Sequence, residues 1–233
     1  MQQFAVFGLG AFGMSVARNL MHEGMEVIAV DSVESNIEMI KNEVTRAAVL
    51  DSTKEEALKA IDIGQVDCAV VCIGADLEAS ILTALLLKKL EVPRIVARAN
   101  SQDHRQILAL IGVDEIVLPE DEMGMRLARR LSSTHILHHL DISEEHTIAE
   151  VIAPGKFVGQ SLRELNLRSR YGVNIVGIKK KIPYVSGEGE NLYQERYNDF
   201  PSPEDVIDQD DVLVMVGSER AITELERDIE REE

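Results

Sequence analysis

The sequence has no apolar run long enough to cross a membrane and no secretion signal. A membrane-spanning helix needs about 20 predominantly apolar residues, whereas the longest apolar stretch, residues 81–87, is followed at once by Lys88 and Lys89. The first residues lead directly into a strand pattern and lack the charged region and apolar core of a signal peptide. We therefore expect a soluble, cytoplasmic protein.

Basic residues are scarce relative to acidic ones. Lys and Arg number 24 against 41 Asp and Glu, which gives a formal net charge of −17. This excess of negative charge repels phosphate backbones and anionic lipid headgroups, so we expect no nucleic-acid partner and no direct membrane-surface binding. One small basic pocket for a single anionic ligand remains compatible with this charge.

Cysteine is equally scarce. The two cysteines, Cys68 and Cys72, lie in one apolar run and would share one face of a strand. This placement favours two core thiols over a disulfide or a metal site, in agreement with a reducing compartment.

The first half alternates apolar strand-like runs with helical patterns, and the strand runs are continuous in Val, Ile and Ala. This pattern predicts an α/β domain with a Rossmann-type doubly wound parallel sheet over residues 1–134. The predicted strands are 4–7, 26–30, 46–50, 68–72, 94–97 and 115–118, with helices at 12–22, 34–41, 55–61, 78–90 and 104–111 and another after Pro119.

The pattern changes after Leu131, where Ser, Thr and His residues indicate a junction. Residues 135–233 then predict a small α+β domain with shorter strands at 147–152, 174–178 and 212–216, helices at 161–165 and 219–230, and a long loop or hairpin over 183–203.

A glycine-rich motif, G-x-G-x-x-G, follows the first strand and opens the first helix. Gly8 permits the tight turn, Gly10 lets a phosphate approach the backbone, and Gly13 lets the helix pack against the sheet, with Ala11 and Phe12 between them. The unpaired N–H groups at the helix start favour a phosphate.

Asp31 ends the second strand, roughly 20 residues after the last glycine, and is followed by Ser32. A carboxylate at this place accepts hydrogen bonds from ribose hydroxyls, and no Arg follows at once to favour a 2′-phosphate. The alternative is an empty Rossmann-shaped pocket in which Asp31 only caps a helix.

Two further strand ends face the same predicted crevice. Asp51, Ser52 and Thr53 follow the third strand, and Gly74 and Ala75 precede Asp76 after the fourth. The first group could meet the base or ribose and the second could line the phosphate side, but each fits an ordinary turn and helix cap equally well.

No catalytic set accompanies this motif. A dehydrogenase needs a general acid or base and a substrate clamp, and no His–Asp or Lys–Tyr arrangement suggests one. His135, His138 and His139 have the i, i+3, i+4 spacing of one helix face, which we interpret as a solvated linker rather than a zinc site. The run 179–181 of three lysines is interpreted as a solvated strand end rather than a small-anion site. A small NAD(H)-dependent oxidoreductase or redox sensor is the alternative to a non-enzymatic nucleotide sensor.

Several segments together resemble the RCK (regulator of potassium conductance) family, most closely its KtrA/TrkA-type potassium uptake subunits. The matching residues extend over nearly the whole chain: Val6-Phe7-Gly8-Leu9-Gly10, Phe12-Gly13, Val30-Asp31, Ile73-Gly74-Ala75, Pro119-Glu120, Met123-Gly124, Leu165-Asn166-Leu167-Arg168, Tyr171-Gly172, Pro201, Pro203 and Asp210-Asp211-Val212-Leu213.

The resemblance implies a cytoplasmic regulatory subunit of a Ktr- or Trk-type membrane potassium-translocating subunit. It implies homodimers that assemble into a ring, often an octamer, lying on the inner face of the membrane through the partner. It also implies that ATP and ADP, and in some members NAD(H), bind the N-terminal domain and change the shape of the ring. A related regulatory module for another channel or transporter remains an alternative.

The resemblance also assigns roles by position. Gly8, Gly10 and Gly13 would hold phosphates, Asp31 the ribose, and Asp51 with Ser52 the adenosine end. Arg98 matches a basic position that reaches the phosphates. Glu120 matches an acidic residue that in some members helps bind a divalent cation, for which Mg²⁺ or Ca²⁺ would suit a carboxylate beside phosphate oxygens; the alternative is an ordinary residue of a helix N-terminus.

Three features bear on how far the resemblance extends. Ala11 stands where close KtrA relatives carry an Arg that reaches the terminal phosphate in a neighbouring subunit, so this chain lacks that charge-assisted contact. The 183–203 segment is longer than in compact members. In members whose C-terminal dimer binds cyclic di-AMP, Arg168 and Asn174 stand at matching positions, whereas Leu162-Arg163 replaces an apolar pair.

Overall fold

The strands of the first half are rich in Val, Ile and Ala, and in the computed structural model they form one parallel sheet. The structure describes residues 2–132, 136–143, 145–185 and 191–230. The chain divides into two units, Met1–Glu122 and Met123–Glu233.

The sheet of the first unit has six strands in the order β3-β2-β1-β4-β5-β6, all parallel. This order is that of a Rossmann fold, and it confirms the predicted doubly wound sheet. The strands are β1 (Gln3–Phe7), β2 (Glu26–Asp31), β3 (Arg46–Val49), β4 (Cys68–Val71), β5 (Ile95–Arg98) and β6 (Glu115–Val117).

Helices connect successive strands and lie on both faces of the sheet. They are α1 (Ala11–His22), α2 (Glu34–Ile40), α3 (Glu55–Ala60), α4 (Leu77–Lys89), α5 (Gln102–Ile111) and α6 (Pro119–Ser132), with a 3-10 turn at Ile63–Gln65. The helix predicted after Pro119 thus begins at that residue, where the fixed φ of proline suits the first helical position.

Alternating residues of the strands pack into two apolar cores, one on each face. On β1, Phe7 packs on one face with Leu58 and Leu87, and Val6 packs on the other with Ala17. Fully burying one such large side chain stabilises the fold by about 1.5–3 kcal/mol. Burial on both faces explains why these strands read as continuous apolar runs.

Cys68 and Cys72 are both free thiols in the core on the second of these faces, as predicted. Burial raises the pKa of Cys68 and raises that of Cys72 to about 12. Because the thiolate is the reactive form, both side chains act here as small apolar residues.

The second unit contains an antiparallel sheet in the order β10-β9-β11-β8-β7. Its strands are β7 (Ile136–Asp141), β8 (His146–Ile152), β9 (Asn174–Val185), β10 (Asn191–Asn198) and β11 (Val212–Ser218). Its helices are α7 (Leu162–Leu165), α8 (Leu167–Tyr171) and α9 (Glu219–Glu230), with a 3-10 turn at Gly155–Phe157.

One face of this sheet carries the core of the second unit. Ile178 and Leu213 pack there with Ile222, Leu225 and Ile229, which recur at helical spacing on α9. The predicted helix at 161–165 is α7, which begins with a reciprocal pair of hydrogen bonds between Ser161 and Glu164.

The interpretation of the histidine-rich segment as a linker with helical spacing is wrong for the part that the structure describes. His138 and His139 lie in β7, which pairs with β8 in antiparallel register. Pairing with a strand that follows in the chain decided this conformation, and the i, i+3, i+4 spacing was coincidental. His135 lies outside the described residues.

The lysine run does not end a strand, because β9 continues to Val185. Lys179 forms an ion pair with Glu150 and Lys180 forms one with Asp208, each at 2.7 Å. Two of the three ammonium groups therefore have carboxylate partners, which argues against an anion site. Of the alternatives for 183–203, the structure shows a hairpin of β9 and β10, with 186–190 outside the described residues.

The helix α6 extends from the first unit into the second. The domain boundary predicted at residue 134 lies outside the described residues and stays a prediction. Among the helices described, none is long and apolar enough to cross a membrane.

Candidate functional site

The candidate site lies at the carboxyl ends of β1 and β4. These two strands are neighbours at the centre of the sheet, and the connections from them lead to opposite sides. In an open parallel sheet this switch point forms the crevice in which ligands bind.

Two glycines of the turn after β1 are required by packing. Gly8 has φ +85°, and a Cβ atom there would lie 3.0 Å from the backbone nitrogen of Ile73. A Cβ atom at Gly13 would lie 1.9 Å from the carbonyl oxygen of Gly8. Gly8 and Gly13 therefore allow α1 to approach β1 and the loop after β4.

Gly10 differs from these two glycines. A Cβ atom at Gly10 would meet no protein atom within 4 Å, so packing within the chain does not require a glycine there. Gly10 is the N-cap of α1 and makes no side-chain cap hydrogen bond, and Ala11 is the first, exposed residue of the helix. The first N–H groups of a helix have no intrahelical partners, so the turn presents free space beside donors, which suits a phosphate.

Asp31 ties the second strand to this turn. Its Oδ2 accepts a hydrogen bond from the backbone N–H of Leu9 at 2.6 Å, and its Oδ1 accepts one from Val33 N–H at 2.8 Å. Asn36 donates a third bond at 3.2 Å, and Ser32 is exposed beside it. Asp31 therefore also holds the glycine-rich turn in place, a contact that the spacing alone did not indicate.

The residues after β3 separate into two groups. Asp51 accepts hydrogen bonds from the hydroxyl and backbone N–H of Thr53, at 2.6 and 3.0 Å, and these bonds lower the pKa of the Asp51 carboxyl. Ser52 is buried, with its hydroxyl 2.7 Å from that of Thr83 on α4. Asp51 is exposed, whereas the hydroxyl of Ser52 is directed into the protein.

The loop after β4 supplies Gly74 and Ala75. Ala75 is exposed, and the next residue, Asp76, is the N-cap of α4 and accepts a hydrogen bond from Ala79 N–H at 2.9 Å. Of the alternatives for this segment, the helix cap is thus present at Asp76. Gly74 instead faces the side chain of Arg98.

Arg98, the last residue of β5, connects three segments of the crevice. A Cβ atom on Gly74 would lie 2.7 Å from its Nη1, so the guanidinium packs directly against the glycine and would have to shift for a larger residue. The guanidinium carbon lies 5.8 Å from the ring centroid of Phe12, within the range of a cation–π contact. Its Nη2 donates a hydrogen bond to Glu120 in the first turn of α6.

Asn100 and His104 support the same loop and were missed in the sequence. The side-chain amide of Asn100 donates a hydrogen bond to the Gly74 carbonyl at 3.1 Å. The backbone N–H of Asn100 donates to Nδ1 of His104 at 3.3 Å. His104 is 1% exposed, and burial lowers its pKa. Both residues follow β5, so the rule that strand ends line the crevice could have indicated them.

Two domain families together match most of the chain. The TrkA-N domain family matches residues 4–119, and the TrkA-C domain family matches residues 146–229. The chain is 37% identical over 226 residues to Ktr system potassium uptake protein C of Bacillus subtilis (strain 168), covering 97% of this chain and 96% of that protein. The chain belongs to the RCK family of Ktr- and Trk-type potassium uptake proteins.

Other RCK relatives show the same relationship. Ktr system potassium uptake protein A of Bacillus subtilis is 36% identical over 227 residues, covering 97% of this chain and 96% of that protein. The protein of that name from Vibrio alginolyticus is 33% identical over 179 residues, 77% of this chain and 81% of its own length.

Solved structures support the RCK fold. The GsuK channel superposes with a TM-score of 0.67 at 19% identity, and the GsuK channel bound to NAD with 0.65 at 18% identity. The matches cover 97% and 98% of this chain but 39% of each of those chains. At this identity the likeness establishes the fold alone, and the chain spans well under half the length of these channels.

The described residues contain no group of three or more His, Cys, Asp or Glu side chains placed to hold a metal ion. Glu120 is engaged by Arg98, so a divalent cation would need ligand phosphate oxygens in addition to this carboxylate.

The positions considered for cyclic di-AMP lie in the TrkA-C part. Arg168 is on α8 and Asn174 begins β9, and both side chains are exposed. Arg163, at the position that is apolar in the members that bind cyclic di-AMP, forms an ion pair with Glu204 at 2.6 Å. Cyclic di-AMP binding stays a prediction from the resemblance.

Proposed function

We propose that this chain is a regulatory subunit of a Ktr- or Trk-type potassium uptake system and binds an adenine nucleotide in the crevice of its first unit. The observation that supports this most is the open space at Gly10, at the switch point of the sheet, in a turn whose Phe12 ring lies 5.8 Å from the Arg98 guanidinium carbon. The relatives named potassium uptake proteins, at 36–37% identity, support the physiological setting.

The crevice has groups that suit each part of such a ligand. The turn at Gly10 and Ala11 would receive the phosphates, with Arg98 as the cation. Asp31, held beside the turn by Leu9, would accept hydrogen bonds from the ribose, and the exposed Asp51 at the next strand end would contact the adenosine. ATP or ADP is the expected ligand. NAD(H) is a second candidate because GsuK structures are described with NAD and with ADP.

The nucleotide would act allosterically and not as a reactant. A ligand shifts a conformational equilibrium only through its different affinities for the two states, typically about 1–3 kcal/mol per site. We propose that the chain forms homodimers that assemble into a ring, an octamer by resemblance, beneath a membrane potassium-translocating subunit. Each site of a symmetric ring would add to the total effect. The subunit would be cytoplasmic and reach the membrane through that partner.

The test is calorimetric titration of the nucleotide-free protein with ATP, ADP, NADH and cyclic di-AMP, each with Mg²⁺ and with EDTA. We expect micromolar ATP or ADP binding that falls about 100-fold in Asp31→Ala, because this variant loses hydrogen bonds made by a charged acceptor. Asp67→Ala is the matched control. Its carboxylate also accepts a backbone hydrogen bond, from Gln3 at 2.7 Å, but at the amino end of the strands.

The outcomes separate the candidate functions. Equal loss of affinity in both variants would mean that Asp31 acts only through stability. Binding of NADH without ATP or ADP would favour a redox sensor or an oxidoreductase, which a screen for NADH oxidation with carbonyl substrates would then distinguish. Gating is tested separately, by measuring nucleotide-dependent potassium flux after reconstitution with the membrane subunit.

A further inference from the structure

Arg98 is much less exposed to solvent than Glu120, its ion-pair partner. The Arg98 side chain is 20% exposed, whereas the Glu120 carboxylate that it contacts belongs to a side chain that is 63% exposed. If the ion pair opens, Glu120 returns to water at little cost, but the half-buried guanidinium of Arg98 needs another anion.

We propose that Arg98 and Glu120 form a displaceable latch, in which a nucleotide phosphate competes with Glu120 for the guanidinium. The inference rests on the proposed nucleotide function and adds a role for Glu120 that opposes binding. In the ligand-free protein Glu120 occupies Arg98, and a bound phosphate takes its place and releases the carboxylate.

The contacts of Arg98 favour this exchange. The guanidinium also lies against Gly74 and near the Phe12 ring, and these two contacts do not depend on Glu120. Its Nε is buried and has no hydrogen-bond partner among the described residues. A phosphate can accept two parallel hydrogen bonds from one guanidinium, which a single contact to Glu120 does not provide.

Displacement of Glu120 by the ligand would also change a contact of α6. Glu120 is in the first turn of that helix, which continues from the first unit into the second. Occupation of the crevice would therefore remove one contact that holds the start of α6 to the end of β5.

The test measures ADP affinity in EDTA for Glu120→Gln and for Asp121→Asn. Asp121 is the matched control because it lies in the same helical turn and contacts Gln102 instead of Arg98, at 3.4 Å. We expect Glu120→Gln to tighten ADP binding by about fivefold, the effect of losing one competing exposed ion pair. Asp121→Asn should change the affinity less than about twofold, and adenosine, which lacks phosphates, should bind both variants like the wild type.

A double-mutant cycle with Arg98→Gln shows whether Glu120 acts through Arg98. In the Arg98→Gln background, Glu120→Gln should no longer change ADP affinity. An unchanged or weaker affinity of Glu120→Gln, or an equal gain in both carboxylate variants, would overturn the latch while leaving the nucleotide function intact if the wild type binds ADP. Failure of the wild type and Glu120→Gln to bind ATP or ADP would overturn both.

Discussion

The two sheets of this chain differ in where polar side chains can be placed. In the parallel sheet the central strand β4 is buried throughout, and apolar cores cover both faces. In the antiparallel sheet β8 alternates between buried and less buried residues, and ion pairs such as Lys179–Glu150 form opposite the core. In the parallel sheet, the polar side chains and free backbone N–H groups that could bind a ligand therefore lie at the strand ends. In the antiparallel sheet, polar side chains form ion pairs between strands of the sheet itself.

The largest expected effect comes from adding one methyl group at Gly13, where α1 packs closely against the turn after β1. Gly13→Ala would place a Cβ atom 1.9 Å from the Gly8 carbonyl oxygen, and backbone cannot yield as a side chain can. We expect a loss of at least about 3 kcal/mol in the free energy of unfolding, measured by urea denaturation. A stability within about 1 kcal/mol of the wild type would show that α1 can move away from the turn.

The same substitution at Gly10 separates binding from packing. A Cβ atom there meets no protein atom, so Gly10→Ala should lower the free energy of unfolding by no more than about 1 kcal/mol, the difference between glycine and alanine at an N-cap. It should weaken ADP binding by about tenfold or more, because the methyl group takes space at the phosphate position. Adenosine titration is the control, and an unchanged ADP affinity would exclude this turn as the phosphate site.

Gly177→Ala makes the corresponding change in the antiparallel sheet. Its Cβ atom would lie 3.0 Å from the Tyr197 hydroxyl, at the free end of a half-exposed side chain. Because that side chain can shift, we expect less than about 1 kcal/mol of change in the free energy of unfolding. A loss as large as that of Gly13→Ala would contradict the view that this sheet tolerates such changes more easily.

The smallest expected effect is that His104, in the first unit, and Asp211, in the second, change the stability in opposite directions as the pH falls. Burial lowers the pKa of His104, so its stabilising contribution is present above the unfolded pKa of about 6.5 and is lost as the pH falls below it. Burial raises the pKa of Asp211 in the second unit, so protonation there stabilises the fold as the pH falls through its raised pKa towards about 3.9.

Urea denaturation between about pH 8 and about pH 5.5 tests the His104 part. The wild type should lose stability towards the acid end, and His104→Gln should show a shallower slope. Equal slopes in both proteins would show that His104 does not control this pH dependence.

Periodicity was a better guide to the first unit than to the second. Continuous apolar runs and short connections predict all six strands of the parallel sheet, and the central strands β1, β2 and β4 are largely buried on both faces. The edge strand β7 was not predicted, and β10 was predicted only as one arm of a possible hairpin, because an edge strand keeps many exposed residues and its pairing depends on a partner elsewhere in the chain.

For the site, the sequence by itself determined which residues are available at the strand ends: the glycine-rich turn and Asp31 through their motif and spacing, and Arg98 and Glu120 through the family resemblance. These residues share one edge because parallel strands bring their carboxyl ends together. Only the tertiary structure decided their contacts. It directs Ser52 into the protein, makes Asp31 hold the turn, and pairs Arg98 with Glu120. Such contacts join residues far apart in the chain, so packing in three dimensions, and not spacing, selects them.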